Sequence, residues 1–177
     1  MHLALDRADA ALVDRGPVPG DHAGLDAAAA LISNLADYGV LWVVIAAAQA
    51  RSPERRARAI GGLAAAGTSS WVVNTLAKAV IARDRPGSDP PARGLVRRPT
   101  SSSFPSGHTL AAWCTAVVLA DSGPELAAYL AFAAATGLSR VHLGAHHPTD
   151  VVGGAALGLA VGLLARQVLV AATTRPR

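Results

Sequence analysis

Residues 139–150 read Ser-Arg-Val-His-Leu-Gly-Ala-His-His-Pro-Thr-Asp and combine several ionisable side chains with the start of an apolar stretch. The apolar stretch covers 149–173, and a helix needs about 20 such residues to cross the hydrocarbon core of a bilayer. Pro148 suits the first position of a helix, so Asp150 falls in the first turn. The sequence here therefore predicts a membrane-spanning helix that begins in a cluster of histidine, arginine and aspartate.

The composition agrees with a small membrane protein. Of 177 residues, 51% are hydrophobic and only 16% are charged, and the mean hydropathy is +0.34. This balance excludes an intrinsically disordered chain and departs from soluble domains, in which about 25% of residues are charged. The length is that of one domain. Cys114 is the single cysteine, which excludes an intrachain disulfide and a multi-cysteine zinc site.

The net charge of +4 and the pI of about 10.2 favour an anionic partner. A basic excess suits a nucleic acid, an anionic membrane surface or a phosphate ligand. The basic residues do not form one polar stripe, and only 4% of residues are aromatic, too few for a platform on which bases stack. The sequence therefore predicts a phosphate ligand and a lipid bilayer as partners, and no nucleic acid.

Five apolar stretches predict the helices of an all-α transmembrane bundle. They cover 27–50, 57–82, 108–120, 124–139 and 149–173. The first, second and fifth are long enough to span a bilayer, whereas the third and fourth span only if one end stops in a polar cavity. The alternative is that the two short stretches form a buried hairpin in a soluble bundle.

The predicted organisation is a bundle of five or six helices with an N-terminal amphipathic segment. Its parts are an interfacial segment at 1–26, a membrane-embedded domain at 27–173 and a tail at 174–177. Gly154, Gly158 and Gly162 repeat every four residues, a spacing that lets membrane helices pack closely. The close packing can lie within one chain or between two copies, so the pattern allows a homo-oligomer without requiring one.

The polar residues that are costly in a membrane collect in three segments. They are the end of the second stretch, the start of the third, and the junction of the fourth and fifth, which share one face if the stretches alternate across the bilayer. Ionisable groups at a membrane edge indicate a functional site. The predicted phosphate-binding residues are Lys78, Arg85, Ser106, Gly107 and Arg140, and the predicted catalytic residues are His108, His146 and Asp150.

The residue types explain this assignment. Arginine and lysine bind phosphate oxygens, and the free N–H groups at a helix N-terminus favour an anion. Asp150 follows His146 by four residues and can orient its imidazole as in a catalytic triad, while His108 can transfer protons near neutral pH. The alternative, a metal site to which His142 and His147 also contribute, is opposed by three nearby cations.

The sequence assigns no chemical role to several other polar residues. Arg83, His142 and His147 are predicted to be polar anchors at the membrane edge. The three serines at 101–103 are predicted to be plain loop, and Asp37 has no assigned chemistry.

Three motifs in this order resemble the signature of the type-2 phosphatidic acid phosphatases, a superfamily that shares its site with vanadium haloperoxidases. The first reads Lys, six residues, Arg-Pro at 78–86, and the second reads Pro-Ser-Gly-His at 105–108. The third reads Ser-Arg, five residues, His, three residues, Asp at 139–150. The apolar stretches extend the resemblance to residues 27–173.

The resemblance implies a metal-independent lipid phosphatase without a cofactor. His146 would attack phosphorus and form a phosphohistidine, Asp150 would orient His146, and His108 would protonate the leaving oxygen and then activate water. The five phosphate-binding residues would hold the phosphoryl oxygens. The implied substrates are a polyprenyl diphosphate, phosphatidylglycerophosphate, phosphatidic acid and decaprenylphosphoryl-phosphoribose phosphate.

The resemblance also implies a protein of the bacterial inner membrane. The compact arginine cluster at 51–58 favours a catalytic face outside the cytoplasm. Family members with bacterial lipid substrates commonly have six spanning helices, whereas this chain offers five clear stretches, so its N-terminal topology is open. Two rival functions also stay open: a haloperoxidase-like enzyme that binds vanadate, and a non-catalytic membrane protein that binds a lipid or an anion.

Overall fold

A computed structural model describes residues 6–10, 22–86 and 100–173, and every regular element in them is helical. Six α-helices follow in chain order, in addition to a short helical segment at 6–10. They are α1 (Ala23–Ala36), α2 (Val40–Gln49), α3 (Pro53–Val80), α4 (Gly107–Leu119), α5 (Gly123–His142) and α6 (Pro148–Thr173). The all-α prediction is confirmed for this part of the chain. Most of the predicted interfacial segment and the tail lie outside the described residues.

The first apolar stretch is not the single helix that its length predicts. A 3₁₀ turn at Asp37–Gly39 separates α1 from α2, and the two helices are bent by 57°. Gly39 has a φ of 68°, a left-handed conformation that glycine adopts without the steric cost of a side chain. The break brings Asp37, a polar residue in an apolar stretch, into contact with the start of α4.

One helix, α6, is by itself long and apolar enough to cross a bilayer, over Pro148–Ala171. If α1 and α2 form one broken span, they provide a second. α3 has 28 residues but begins with an arginine cluster, and it does not reach the apolar character of α6. Length and composition thus identify one or two spans among the described residues, and five or six spans stay a prediction.

α4 lies at the centre of the bundle, where it contacts α3, α5 and α6. Most of its 13 residues are buried. A helix of about 20 residues is needed to cross a bilayer core, so α4 is too short to do so alone. Because its neighbours enclose it, α4 can end inside the protein. This agrees with the prediction that so short a helix stops at a polar site.

The glycine repeat of α6 packs directly on α4. A side chain at Gly154 would lie 2.6 Å from the carbonyl oxygen of Ser106, and one at Gly162 would lie 2.9 Å from that of Cys114. At Gly158 the carbonyl oxygen of Leu110 is closer still. The predicted close helix packing is confirmed, and in this structure it lies within one chain.

We expect Gly158→Ala to destabilise the protein by about 1–3 kcal/mol, because the added methyl group would push α4 and α6 apart. Gly67→Ala is the matched control, since Gly67 lies inside α3 with open space around it. Alanine there should be neutral or stabilising by about 1 kcal/mol. Thermal unfolding in detergent micelles measures both variants. Equal stability of the two would contradict close packing as the reason for the glycine at 158.

Candidate active site

The three polar segments meet at one end of the bundle, around the start of α4. The Ser106 N–H donates to the carbonyl oxygen of Asp150 at 3.0 Å, which joins the start of α4 to the first turn of α6. The Ser103 N–H donates to the carbonyl oxygen of Arg83 at 2.8 Å, which joins the loop before α4 to the loop after α3. The segments that the sequence assigns to one face are therefore in contact.

His146 lies in the loop between α5 and α6 and is only 2% exposed. Its Nε2 atom is 3.2 Å from Nη1 of Arg85. A guanidinium only donates, so the hydrogen-bond network assigns a lone pair to Nε2 and the ring proton to Nδ1. Nδ1 faces Oδ2 of Asp150 at 3.6 Å and has no hydrogen-bond partner among the described residues. The imidazole thus turns its unprotonated nitrogen to a cation and its N–H to a carboxylate.

The surroundings keep the His146 imidazole neutral. Burial lowers its pKa to about 4, and the guanidinium groups of Arg85 and Arg140 act in the same direction, while Asp150 opposes them. The ring is therefore neutral at pH 7, with its one proton on Nδ1, and takes up a second proton only as the pH falls through about 4. The neutral ring is the form that can act as a nucleophile.

Asp150 is fully buried in the first turn of α6. Its Oδ1 accepts from Nη1 of Arg83 at 2.8 Å, and its Oδ2 accepts from the backbone N–H of His147, also at 2.8 Å. These bonds fix the carboxylate on the Nδ1 side of His146. That is the place of the orienting carboxylate in a triad.

A cavity of about 640 Å³ opens beside the start of α4 and is lined by Lys78, Arg85, Gly107, His108 and His146 from the predicted set. Nζ of Lys78 donates to Oγ of Ser101 at 2.9 Å. The Arg85 guanidinium donates to the carbonyl oxygens of Ala145 at 2.6 Å and Ser101 at 3.0 Å. Both cations are therefore held in place at the cavity wall.

The other three predicted residues, Ser106, Arg140 and Asp150, lie behind the cavity wall. Ser106 immediately precedes α4, and its buried hydroxyl accepts from that of Thr109 at 2.9 Å. Arg140 is 1% exposed and donates to the hydroxyl of Ser33 in α1 at 2.5 Å. Arg140 is near enough to lower the pKa of His146, but it does not line the cavity in this structure.

His108 has a partner that sequence analysis missed. Nε2 of His108 lies 2.5 Å from Oδ1 of Asp37, which the 3₁₀ turn after α1 brings to the start of α4. The available signal was a carboxylate inside an apolar stretch, which is costly in a membrane protein unless it is paired. Asp37 therefore belongs to the site.

The prediction that Arg83 is a polar anchor is wrong. The Arg83 side chain is 4% exposed, and it pairs with Asp150 and with Asp9 of the segment at 6–10. Arg83 and Arg85 are only two residues apart, and the sequence did not indicate which of them would be buried.

The serines at 101–103 are not plain loop either. Ser101 accepts from Lys78, as described above, and the Ser102 hydroxyl donates to the carbonyl oxygen of Ile81 at 2.8 Å. The Ser103 hydroxyl donates to the carbonyl oxygen of Asp84 at 2.9 Å. These bonds brace the loop that carries Arg85.

The alternative of a metal site finds no support in the geometry. Nε2 of His142 pairs with Oδ1 of Asp26 in α1 at 2.7 Å. In the part of the chain that the structure describes, no three His, Cys, Asp or Glu side chains are grouped so that they could hold a metal ion.

Comparison with known proteins agrees with the motifs and the geometry. The family model of the PAP2 superfamily matches residues 59–173, which include all three motifs. A decaprenylphosphoryl-5-phosphoribose phosphatase of Mycolicibacterium smegmatis is 34% identical over 147 residues, which are 82% of this chain and 80% of that protein.

Two solved structures have the same architecture. The crystal structure of a transmembrane PAP2-type phosphatidylglycerolphosphate phosphatase from Bacillus subtilis matches with a TM-score of 0.77 and 28% identity, over 98% of this chain and 90% of that chain. The crystal structure of Aquifex aeolicus LpxE matches with a TM-score of 0.69 and 25% identity, over 84% of this chain and 88% of that chain. The chain therefore belongs to the PAP2 superfamily, as a membrane lipid phosphatase.

Proposed function

We propose that His146 is the nucleophile of a two-step phosphoryl transfer from a membrane lipid to water. In the first step, Nε2 bonds to phosphorus, the bond from phosphorus to the leaving oxygen breaks, and that oxygen takes a proton from His108. The products are the dephosphorylated lipid and a phosphohistidine. In the second step, His108 takes a proton from water, whose oxygen attacks phosphorus. Inorganic phosphate leaves, and Nε2 regains its lone pair.

The contacts on the two ring nitrogens of His146 carry this proposal. Arg85 lies on the Nε2 side, where a phosphoryl group would approach, and Asp150 lies on the Nδ1 side. As Nε2 bonds to phosphorus, the ring becomes positive, and the carboxylate of Asp150 stabilises that charge. The Nδ1 to Oδ2 distance of 3.6 Å can shorten to a hydrogen bond in the complex.

Asp37 supports the proposed role of His108. The general acid must be an imidazolium when it gives its proton to the leaving oxygen. Burial and the charge of Arg140 lower the pKa of His108, and a carboxylate 2.5 Å from Nε2 opposes them and fixes the plane of the ring. Because Nε2 faces this carboxylate, Nδ1 is the atom that gives the proton. Asp37 thus acts on the general acid as Asp150 acts on the nucleophile.

The cations at the site can balance the charge of the phosphoryl group. Lys78 and Arg85 line the cavity beside the N-terminus of α4, and the buried Arg140 adds a third positive charge. Preorganised donors aimed at developing charge are a large source of catalysis, and phosphoryl transfer depends on them. We therefore propose that the reaction is metal-independent.

The shape of the cavity fits a phosphate group attached to a lipid tail. Its lining continues along one face of α3 from Lys78 through Trp71 to Leu63. The 15 residue steps from Leu63 to Lys78 rise by about 22 Å along the helix. Trp42 and Val43 of α2 line the same space. The cavity therefore offers apolar surface for a tail next to cations for a headgroup.

Among the implied substrates, a phosphomonoester of a polyprenyl-phosphoryl sugar is the first candidate. The similarity to the decaprenylphosphoryl-5-phosphoribose phosphatase of Mycolicibacterium smegmatis covers about four-fifths of both chains, which supports this choice. Polyprenyl diphosphates, phosphatidylglycerophosphate and phosphatidic acid are the other candidates. Each of them also presents a phosphoryl group on a long apolar tail.

The catalytic face is proposed to lie outside the cytoplasm of a bacterial inner membrane. The arginine cluster at 51–58 lies at the start of α3, the end opposite Lys78. Arg166 lies at the same end of the bundle, where it donates to the carbonyl oxygens of Val117 and Ala120 at 3.1 Å. Arginine is enriched on the cytoplasmic side of membrane proteins, which supports this orientation.

The test of this function is phosphate release from a panel of the four candidate lipids, measured with purified protein in detergent micelles. We expect inorganic phosphate from at least one lipid, at the same rate with and without EDTA. The His146→Ala variant is the negative control. Intact cells should also hydrolyse a short-chain analogue of the preferred lipid that is added from outside.

Other results would favour the rival functions. Loss of activity with EDTA would contradict the metal-free mechanism. Lipid binding without phosphate release would identify a non-catalytic binding protein, and vanadate-dependent halide oxidation would identify a haloperoxidase-like enzyme. Hydrolysis only after the cells are permeabilised would place the site on the cytoplasmic side.

A further inference from the structure

Asp9 precedes the family-matched region at 59–173, yet a single arginine connects it to the catalytic carboxylate. The Asp9 side chain lies in the helical segment at 6–10 and is almost entirely buried. Its Oδ2 is 2.5 Å from Nη2 of Arg83, and Nη1 of Arg83 is 2.8 Å from Oδ1 of Asp150. Two buried carboxylates therefore share one buried guanidinium.

Thr149 belongs to the same hydrogen-bond network through its backbone N–H and its hydroxyl. Its N–H donates to Oδ1 of Asp9 at 2.9 Å, and its hydroxyl donates to Oδ2 of Asp9 at 2.7 Å. The same hydroxyl accepts from Nη1 of Arg83 at 2.8 Å. Because Thr149 directly precedes Asp150, Asp9 fixes both the guanidinium beside the catalytic carboxylate and the backbone that carries it.

We propose that Asp9 is a positioning residue for the phosphoryl transfer and acts on Asp150 through Arg83 and Thr149. This inference rests on the proposed role of His146 as nucleophile. It also means that the helical segment at 6–10 supports the active site.

The charges explain why a second carboxylate is needed. With Arg83 alone beside it, Asp150 would form a neutral pair and would stabilise a positive imidazole poorly. Asp9 contributes a second buried negative charge, so the two buried carboxylates and the guanidinium together carry one net negative charge. Asp6 also contacts Arg83, but its side chain is 57% exposed, so solvent screens its charge. In a buried site of low dielectric, the net charge of the buried groups has a large effect on the ring.

The test compares Asp9→Asn with Asp6→Asn in the full chain. Asp6 contacts the same Nη2 atom of Arg83 at 2.7 Å, but its side chain is 57% exposed, so it is a control matched in charge. We expect Asp9→Asn to lower kcat by about 10- to 100-fold, because residues in one hydrogen-bond network are energetically coupled. Asp6→Asn should stay near wild type, and KM should change little in both variants.

Inhibition by vanadate, which mimics five-coordinate phosphorus, separates positioning from loss of structure. Asp9→Asn should weaken this inhibition in parallel with kcat, whereas inhibition by the product, inorganic phosphate, should change much less. Thr149→Val and Thr149→Ser provide a second pair, because valine lacks the bridging hydroxyl and serine keeps it. Activity should fall in the valine variant and be retained in the serine variant.

Two results would overturn the inference. If the wild-type protein is active and Asp9→Asn matches Asp6→Asn in kcat and vanadate inhibition, Asp9 has no positioning role. If Asp9→Asn does not fold, equal activity of the two Thr149 variants leads to the same conclusion. A wild-type protein that releases no phosphate from any lipid instead overturns the proposed function, and this inference with it.

Discussion

Replacing His146 by alanine should lower kcat by about 10³- to 10⁶-fold, since loss of a nucleophile removes the whole two-step route. The ring is buried and neutral at pH 7, and it lies between a guanidinium and a carboxylate. Initial rates of phosphate release from the preferred lipid measure the effect.

The control for this variant is His22→Ala, which removes an exposed histidine just before α1. It should leave the rate within about twofold of wild type, as surface substitutions usually do. If His146→Ala kept a rate within tenfold of wild type, His146 would not be the nucleophile.

Replacing Arg85 by alanine should lower kcat by about 10²- to 10³-fold, the usual cost of removing one preorganised donor to a charged transition state. Arg85 donates to Nε2 of His146 and to three carbonyl oxygens, so its fork is fixed beside the point where phosphorus would approach. Arg85→Lys should recover only part of the activity, because lysine keeps the charge but lacks the fork.

The kinetic constants of the Arg85 variants distinguish two roles for this cation. A fall in kcat means that Arg85 stabilises the transition state, whereas a rise in KM alone means that it binds substrate and transition state equally. Arg51→Ala, at an exposed position near the opposite end of α3, is the control and should have wild-type constants. An unchanged kcat in Arg85→Ala would contradict the proposed role.

Helix positions were well predicted where composition and spacing determine them. The expected stretches at 108–120 and 149–173 correspond to α4 and α6 within one residue at each end. Both begin at strong local signals, Gly107 after the Pro-Ser pair and Pro148 at a first helical position. The glycine repeat of α6 likewise predicted close helix contact, because four-residue spacing puts all three glycines on one face.

The bend between α1 and α2 could not be predicted from the same signals. Hydrophobic content runs through residues 27–50 almost without interruption, and a single glycine inside such a stretch is usually tolerated. The left-handed conformation of Gly39 depends on how the two helices pack, which is a tertiary effect. For α3, the length of the apolar stretch predicted a membrane span, but the helix is not apolar enough to meet the criterion that α6 meets.

The residues of the candidate site also divide into those that local sequence predicts and those that depend on tertiary contacts. Motif spacing named eight residues, and the structure places them in one region because the motifs lie at helix ends that meet. Asp9, Asp37 and Arg83 were missed because their partners are distant in sequence, and a single sequence does not show which distant residues pair. For Asp37 the apolar surroundings indicated that a partner was needed, but not which one. Arg83 contacts Asp150 and Asp37 contacts His108, whereas Asp9 contacts Arg83.

The most direct test of the central claim is to find the phosphoryl group on the enzyme during turnover. The protein would be mixed with the preferred lipid phosphate, denatured in alkali within one turnover, digested, and examined by mass spectrometry. Alkali is used because phosphohistidine is labile in acid. We expect one added phosphoryl group on His146, absent in the His146→Ala variant. A phosphoryl group on any other residue during turnover would contradict it.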